Sequence, residues 1–255
     1  MSMKIKLIKK ADYPGTEKFG KNFEIGKTGE ICVAIGGDGT FIKASKEFDG
    51  PILPIRSKEK GSIGYYSDLS VDDIDYAISM LKRKRYFIER LGNKVELTYK
   101  GRRMYPVNEV VMNNTTTEVS FKVYSSYGRK REEIYPFVMS GDGVLVTSSV
   151  GSTAYNKSAG GPIILNPDVL CITFLNVDGP YSNPIVVGAD KIIEIEVRKS
   201  KGILSYDGTK LGVLAEGDTF SVRLSKKPIQ VIRFGGRRED FGAKLERIIQ
   251  SRMQK

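Results

Sequence analysis

Residues 31–41, ICVAIGGDGTF, join an apolar run to three glycines that surround one carboxylate, Asp38. The run ICVAI predicts a buried β-strand, and FIKASKEF beyond the glycines predicts a helix. Glycine permits positive φ angles and lets a ligand approach the main chain, while the N–H groups at a helix N-terminus attract anions. The stretch therefore predicts a strand, a phosphate-binding turn and a helix in succession.

Asp38 needs an explanation, because a carboxylate among phosphate-binding N–H groups repels the phosphate. Acceptance of the proton of an attacking hydroxyl would explain it, and this makes Asp38 the candidate general base. The alternative is an Asp-Gly turn without a chemical role. The spacing matches neither GxGxxG nor GxxxxGK[ST], so the stretch is neither a dinucleotide-binding fingerprint nor a Walker loop.

The composition is typical of a globular protein without a membrane span. Of the 255 residues, 40% are hydrophobic and 28% are charged, and the formal net charge of +11 favours polyanionic partners. The basic runs at 82–85 and 101–103 lack interleaved aromatic residues, so we interpret them as solvated surface and expect no nucleic-acid partner. The absence of histidine excludes a histidine-based triad or metal site within this chain.

The N-terminus and the cysteines both indicate an intracellular protein. Residues 1–10, MSMKIKLIKK, predict a first strand rather than a signal peptide, so we expect a cytoplasmic protein without a membrane partner. Cys32 and Cys171 lie in apolar stretches and have no metal-ligand spacing. We expect both to be reduced thiols in the core.

The pattern along the chain predicts two domains. Residues 1–92 alternate strand and helix signals, including a helix over 71–84 with Ser70 as its N-cap, and form an α/β domain. Residues 93–239 contain short β-rich runs and form a second, sandwich-like domain. The runs YFIER and KVELTY, and likewise FSVRLS and PIQVIRF, are expected to be separate strands. A final helix over 240–255 should pack back on the first domain through its apolar residues Phe241, Leu245, Ile248 and Ile249.

A second dense motif is SGDGVLVTSSVGSTAYNKSAGGPI at 140–163. Its hydroxyl residues Thr153 and Ser158 can bond ribose or phosphate oxygens, and Tyr155 offers a flat face to an adenine ring. An ordinary turn region is the alternative. Asn108-Glu109 precedes another apolar run, and an amide beside a carboxylate can bond both edges of a base or ribose, although a polar pair at a strand edge would have the same sequence.

Together these motifs resemble the NAD kinase family, which joins GGDGT to a later NE and then to GSTAY…SAGGP. The chain has them at 36–40, 108–109 and 151–163, and the order continues to Asp207-Gly208, where the family also has DG at a strand end. GGDGT alone also occurs in lipid kinases and a phosphofructokinase-like group, but GSTAY with SAGGP is far more specific. The resemblance implies an α/β domain with a phosphofructokinase-like GGDGT loop and a β-rich, NAD-binding domain.

The resemblance also implies a role for each matching residue. Asp38 would activate the 2′-hydroxyl of the adenosine ribose of NAD, which would become NADP, with Gly39 and Lys43 near the same substrate. Asn108, Glu109 and Asp142 would hold the adenine and ribose groups. The loop that closes over NAD would consist of Thr153, Ala154, Tyr155, Asn156, Lys157 and Ser158. The phosphate donor would meet Gly36, Gly37, Gly39 and Thr40.

The donor implied by the resemblance is ATP or inorganic polyphosphate. A divalent ion such as Mg²⁺ would arrive with the nucleotide, because the sequence has no evident carboxylate cluster to hold it as a resident metal. The resemblance further implies a homodimer or homotetramer in which the β-rich domain of a neighbour completes each site. A GGDGT-type lipid kinase and a non-catalytic NAD(P)-binding protein are the rival interpretations.

The chain departs from the family pattern at three places. It has TSSVGSTAY where the family commonly has TPTGSTAY, so Ser149 and Val150 replace a proline and a hydroxyl residue. Ser140 stands where the family often has an arginine, and KEKGSIGYY at 58–66 replaces a segment that resembles NTGHLGF. The choice of donor and the acceptance of NADH alongside NAD therefore stay open.

Overall fold

The computed structural model describes residues 3–59, 64–179, 182–240, 242–244, 246, 247 and 250. The chain divides into two compact units, of which the first contains residues 1–90 and 229–255 and the second residues 91–228. The sequence predicted the boundaries at 92 and 239. The second boundary is wrong, because residues 229–239 belong to the first unit. Val231 pairs in parallel with Ile52, and Ile232 joins the core of the first unit.

The first unit contains a parallel sheet. Its elements are β1 (Lys4–Lys9), α1 (Glu17–Asn22), β2 (Glu24–Ile25), β3 (Ile31–Gly36), α2 (Asp38–Glu47), β4 (Ile52–Arg56), β5 (Leu69–Ser70) and α3 (Ile74–Lys82). The strands pair in parallel in the order β2-β1-β3-β4-β5. The alternation predicted over residues 1–92 is thus confirmed as an α/β unit.

Both faces of this sheet are covered, as β3 illustrates. Val33 and Ile35 of β3 lie in one hydrophobic cluster with Leu81 of α3. Because side chains alternate along a strand, Ala34 points to the opposite face, and it is buried too, as is Phe41 of α2. Burial on two faces explains why ICVAI is a continuous apolar run rather than an alternating one.

The start of α3 confirms the predicted cap. Ser70 and Asp73 form a reciprocal capping box, with the Ser70 N–H donating to Asp73 Oδ2 at 2.9 Å. A short 3-10 turn, Val71–Asp73, leads into α3, so the predicted 71–84 helix is divided between two helical forms.

The second unit consists mainly of strands. Its elements are β6 (Phe87–Tyr99), β7 (Arg102–Met104), β8 (Glu109–Asn114), β9 (Val119–Tyr127), β10 (Lys130–Glu133), β11 (Met139–Gly141), β12 (Gly143–Ser148), α4 (Tyr155–Ser158), β13 (Val169–Leu175), β14 (Ile185–Gly188), β15 (Ile192–Lys199), β16 (Gly202–Tyr206), β17 (Thr209–Leu214) and β18 (Thr219–Arg233). Strand β6 begins in the first unit, and strand β18 ends in it. A 3-10 turn at Val150–Thr153 precedes α4, and another lies at Gly235–Arg237 in the first unit.

Two sheets form the expected sandwich. One contains β10-β9-β15-β18, with β11 on β9, β6 on β18 and β7 on β6. The other is antiparallel in the order β14-β13-β12-β8-β16-β17. Phe121 and Ile195 from the first sheet share one buried cluster with Met112 and Ile172 from the second.

Two pairs of predicted strands are single strands. Gly92 lies inside β6 with a φ of 158°, and a Cβ there would be 2.9 Å from Val150 Cγ2, so Gly92 marks a close packing contact and not a turn. In β18, Pro228 lies between Arg223, which pairs with β15, and Val231, which pairs with β4. The prediction of separate strands was therefore wrong for both pairs of runs.

The cysteines behave as predicted. Cys32 and Cys171 are free and buried. Burial raises the pKa of the Cys32 thiol to about 12 and also raises the pKa of Cys171. Both are therefore neutral thiols in the core.

The predicted C-terminal helix is only partly described. Residues 242–244, 246, 247 and 250 are helical. The four apolar residues expected to pack it, Phe241, Leu245, Ile248 and Ile249, lie outside the described residues, as do residues 60–63 of the altered KEKGSIGYY segment. Over the part of the chain that is described, no helix is long and apolar enough to cross a membrane.

Gly143 offers a test of the sandwich. Its φ is 147°, and a Cβ there would lie 1.8 Å from the Met112 carbonyl oxygen, so we expect Gly143→Ala to reduce the free energy of unfolding by about 3 kcal/mol or more. Urea unfolding followed by circular dichroism measures this change. Gly212→Ala is the matched control, because nothing lies within 4 Å of its added Cβ. Equal stability of the two variants would contradict the packing described for β12.

Candidate active site

The glycine turn presents the start of α2 as predicted. Gly36 ends β3, and its Cα faces the Thr40 side chain so closely that a Cβ would lie 2.3 Å from Thr40 Oγ1. Gly37 is the N-cap of α2, without a side-chain cap, and Asp38 is the first residue of the helix. Nothing lies within 4 Å of a Cβ built on Gly39. A ligand can therefore approach the main chain at Gly39, while Gly36 serves the packing of Thr40.

The Asp38 carboxylate is partly buried and accepts a backbone hydrogen bond. The backbone N–H of Tyr66 donates to Asp38 Oδ1 at 3.5 Å. Burial raises the pKa of Asp38 above its ordinary value, whereas the N–H groups of Tyr66 and Tyr65 and the positive charge of Arg247 act in the opposite direction. A carboxylate with a raised pKa is a stronger proton acceptor, which suits a general base.

A buried ion network supports the segment that contacts Asp38. Arg233, only 2% exposed, donates from NH1 to the Tyr66 carbonyl at 2.8 Å and approaches Asp68 Oδ2 at 3.1 Å. Its Nε donates to Glu89 Oε2 at 2.8 Å, and Lys244 Nζ lies 3.0 Å from Asp68 Oδ1. The carboxylates and cations thus neutralise one another while fixing the backbone beside Asp38.

Lys43 does not join Asp38. Five residues along a helix correspond to a rotation of about 140°, so the two side chains leave α2 on different sides. Lys43 is exposed and lines a groove of about 630 Å³ together with Lys6, Lys27 and Glu47. The structure therefore places the Lys43 side chain away from the Asp38 carboxylate.

In the second unit, a carboxylate holds the Asn108-Glu109 pair. Asp207 accepts hydrogen bonds from the backbone N–H groups of Val107 at 2.9 Å and Asn108 at 2.8 Å, and from Glu109 at 3.4 Å. Asp207 has a φ of 44°, and the short turn after β16 places it there. Both Asn108 and Glu109 are largely buried, so their backbone is fixed before any ligand binds.

The loop after β12 packs directly on that pair. Thr147 Oγ1 donates to the Asn108 carbonyl at 2.7 Å. A Cβ on Gly151 would lie 2.1 Å from the same oxygen, so only glycine fits. The predicted GSTAY loop and the NE pair, which are about forty residues apart in the sequence, are therefore neighbours in the structure.

The side chains of this loop fall into two groups. Asn156 is fully buried, donates to the Pro162 carbonyl at 2.9 Å and accepts from Thr173 Oγ1 at 2.6 Å. It therefore holds the loop in place and does not present its amide to a ligand. Tyr155 is 43% exposed, and Lys157 is exposed too. The remaining predicted contacts have accessible surface: Thr153, Ala154 and Ser158.

Asp142 does not belong to this group within one chain. It precedes β12, whereas Thr147, which pairs with Glu109, lies near the end of that strand. Five residues of strand separate the two positions by about 17 Å. Asp142 instead accepts hydrogen bonds from Asn114 Nδ2 at 2.8 Å and Asn176 Nδ2 at 2.6 Å.

Sequence reasoning assigned no role to three residues that support the site, namely Asp207, Arg233 and Arg247. Their contacts join positions about 100 to 180 residues apart, as in the pairs Asn108–Asp207 and Gly64–Arg247. Arg233 had one available signal, because a lone arginine inside the apolar run VIRF needs a buried partner.

The comparisons with known proteins identify the family of this chain. The sequence matches the ATP-NAD kinase C-terminal domain over residues 108–234. The NAD kinase of Clostridium tetani is 30% identical over 217 residues, which cover 83% of this chain and 77% of the relative. The NAD kinase of Natranaerobius thermophilus is 27% identical over 243 residues, which cover 91% and 82%.

A solved structure shares the fold. The crystal structure of an NAD kinase from Archaeoglobus fulgidus in complex with ATP has a TM-score of 0.77 at 18% identity, with coverage of 96% of this chain and 99% of that one. The α/β unit with its glycine turn and the β-rich unit are thus those of the NAD kinase fold. With the relatives named above, this chain belongs to the NAD kinase family.

Removal of Arg233 tests the buried network. Arg233→Met leaves the buried Asp68 and the partly buried Glu89 without their shared cation, so we expect a loss of about 3–5 kcal/mol in the free energy of unfolding at pH 7. Arg238→Met is the control, since this more exposed cation pairs with Glu89 at the surface and should cost at most about 1 kcal/mol.

The same experiment has a pH dependence. Burial acts to raise the pKa of Glu89, but the hydrogen bonds and charges of Arg233 and Arg238 outweigh it and leave the pKa below its ordinary value of 4.5. The pairing therefore stabilises the fold above about pH 4.5 and is lost as the pH falls through the lower folded pKa. The deficit of Arg233→Met should shrink over that range in urea titrations. A deficit that is constant with pH would contradict the charge argument.

Proposed function

We propose that this chain transfers the γ-phosphoryl group of ATP to the 2′-hydroxyl of the adenosine ribose of NAD and so makes NADP. The observation that carries the proposal is Asp38, a partly buried carboxylate at the start of α2 beside the open main chain at Gly39. Membership of the NAD kinase family gives the substrates. A protein that only binds NAD(P) would need no base at this position.

In the proposed mechanism, Asp38 accepts the proton of the attacking 2′-hydroxyl. Its raised pKa strengthens it as an acceptor, and the hydrogen bond from Tyr66 keeps the carboxylate oriented. Phosphoryl transfer requires little covalent work from the protein, so positioning and charge supply most of the rate. Asp38 therefore acts at the proton, and the glycine turn acts at the phosphates.

The donor would lie at the N-terminus of α2. The first N–H groups of a helix have no intrahelical acceptor, and α2 has no side-chain cap, so those at Asp38 and Gly39 suit phosphate oxygens. Gly37 and Thr40 would border the donor, whereas Gly36 would act through packing. An NAD kinase with this fold was crystallised with ATP, which supports ATP as donor. Polyphosphate stays a prediction from the sequence.

Mg²⁺ would accompany the donor. Among the described residues, no group of three or more acidic, histidine or cysteine side chains is placed to hold a metal ion. Mg²⁺ typically binds through substrate phosphates with few protein ligands, so a cation carried by ATP fits this chain. When bound, it would offset the negative charge of the phosphates.

The acceptor would lie against the second unit. We assign the adenine and ribose contacts to Asn108, Glu109 and the accessible part of the 153–158 loop, with Tyr155 stacking on the base. Asn156 would act as a positioning residue for the loop.

Asp142 supports the proposal of a homodimer or homotetramer. A residue about 17 Å from the other acceptor contacts does not bond the same adenine or ribose group, but it can serve the site of a neighbouring copy. Cytoplasmic location stays a prediction from the sequence. Of the rival interpretations, the lipid kinase is disfavoured by the match over 108–234, and no observation favours nucleic acid as a partner.

The Asp38→Asn variant tests the base. We expect kcat for NADP formation from NAD, ATP and Mg²⁺ to fall by about 10²–10⁴-fold, because the amide cannot accept the proton. NADP is measured with an NADP-specific dehydrogenase. In the parent protein, kcat should fall as the pH drops through a pKa above that of an ordinary aspartate, since burial raises it.

NAD binding by Asp38→Asn, measured by calorimetry, is the control and should change little. Retention of kcat in this variant would refute the assignment of the base. NAD binding without NADP formation by the parent protein, with either ATP or polyphosphate, would favour the non-catalytic interpretation.

Asp207→Asn tests the acceptor site. An amide supplies one oxygen where the carboxylate accepted several N–H bonds, and loss of a charged hydrogen bond costs about 1.5–3 kcal/mol. We therefore expect KM for NAD to rise roughly tenfold or more, with a smaller effect on kcat. Asp218→Asn is the matched control, because Asp218 caps the Ala215 N–H in a turn of the same unit. Equal KM values in both variants would contradict the role of Asp207.

A further inference from the structure

Residues 64–68 form the wall against which the Asp38 carboxylate rests, and we call them the Tyr66 segment. Tyr66 donates its N–H to Asp38, and its ring stacks on Phe41 of α2 with the centroids 4.3 Å apart. Gly64 has a φ of 60°, a left-handed conformation in which the segment turns. A small shift of this backbone would move the hydrogen bond to Asp38.

One guanidinium spans the Tyr66 segment. Arg247 NH2 donates to the carbonyl oxygens of Gly64 at 3.2 Å and Ser67 at 3.3 Å, which lie on either side of Tyr65 and Tyr66. Glu239 fixes the guanidinium by accepting from Nε at 3.0 Å and from NH2 at 2.9 Å. The group is largely buried, so water does not replace these bonds readily.

Two arginines thus bind three carbonyl groups of the Tyr66 segment. Arg233 binds the Tyr66 carbonyl, and Arg247 binds those of Gly64 and Ser67. Both belong to the C-terminal part of the chain, beyond residue 228. Arginine suits this task better than lysine, because its planar fork presents several donors in a fixed geometry.

We propose that Arg247 is a positioning residue for Asp38: by clasping the carbonyls of Gly64 and Ser67, it fixes the Tyr66 segment whose N–H holds the Asp38 carboxylate. The inference rests on the proposed function, since it assigns Arg247 to the orientation of the base. It adds a role to the C-terminal helix that none of the sequence motifs indicated.

The charge of Arg247 provides a second route to Asp38. The influences on the Asp38 carboxylate are burial, the N–H groups of Tyr66 and Tyr65, and the guanidinium of Arg247. Burial raises the Asp38 pKa, and the positive charge lowers it. Loss of that charge should therefore raise the pKa further, and the acidic limb of the kcat–pH profile should move to higher pH.

The test uses three variants of the full chain. Arg247→Met removes the charge and the donors, and Arg247→Lys keeps the charge but loses the fork. Arg237→Met is the control, because Arg237 also lies in the C-terminal part and pairs with Asp73 at 2.8 Å, away from the Tyr66 segment. The titration of the Asp38 carboxyl carbon is followed by NMR with ¹³C-labelled aspartate, and Asp38→Asn assigns the signal. Kinetics of NADP formation are measured in parallel.

For Arg247→Met we expect kcat to fall by roughly ten- to a hundred-fold with KM for NAD unchanged within about twofold, because misorientation affects the chemical step. The Asp38 signal should titrate at higher pH than in the parent protein. Arg247→Lys should lose kcat while its Asp38 titration stays close to that of the parent. Arg237→Met should match the parent in both measurements.

Unchanged kcat in Arg247→Met would overturn the inference. In Arg247→Met, a lower kcat without any shift of the Asp38 titration, accompanied by a lower melting temperature, would also overturn it. Arg247 would then have a merely structural role. Failure of the parent protein to make NADP would refute the proposed function, but the NMR comparison would still decide whether Arg247 governs Asp38.

Discussion

The buried guanidinium of Arg233 is the interaction on which the catalytic half of this protein depends. A charge removed from water must be paired and hydrogen-bonded, and here two carboxylates and a backbone carbonyl meet that requirement. Because the carbonyl belongs to Tyr66, satisfying the buried charge also fixes the backbone beside Asp38. The parallel sheet supplies the start of α2, and the ion network supplies the wall opposite it. The ion pairs that neutralise the buried guanidinium thus also orient the carboxylate of Asp38, the proposed base.

The β-rich unit uses the same physical principle with the charges reversed. There the carboxylate of Asp207 gathers backbone N–H groups, whereas in the α/β unit guanidinium groups gather carbonyls. In each case a charged side chain from late in the chain holds a short segment that itself carries the functional groups. Gly151 completes the arrangement by letting one loop touch the Asn108 carbonyl. Both halves therefore support preorganisation, in which the main chain is set before a ligand arrives.

The sequence predicted what local chemistry determines. A buried strand, a glycine turn and a helix followed from ICVAIGGDGTF because each depends on neighbouring residues, and the motifs identified the family. The errors arose where distant packing decides. The runs on either side of Gly92, and those on either side of Pro228, were expected to be separate strands but form single long ones, and residues 229–239 belong to the first unit, in which Val231 pairs with β4. The roles of Lys43 and Asp142 stay predictions, because motif order carries no information about which face of a helix or which end of a strand meets a ligand. The supporting contacts of Asp207, Arg233 and Arg247 could not be predicted, because the backbone groups that they hold lie about 100 or more residues away.

Burial of Cys32 determines how readily its thiol reacts with oxidants. Only the thiolate reacts with peroxides, disulfides or alkylating agents. With a pKa of about 12, Cys32 is ionised in about one molecule in 10⁵ at neutral pH. Cys32 lies in β3, the strand that ends at the glycine turn. The Cys32 thiol therefore reacts only slowly with oxidants. We expect the activity to be the same with and without added reductant.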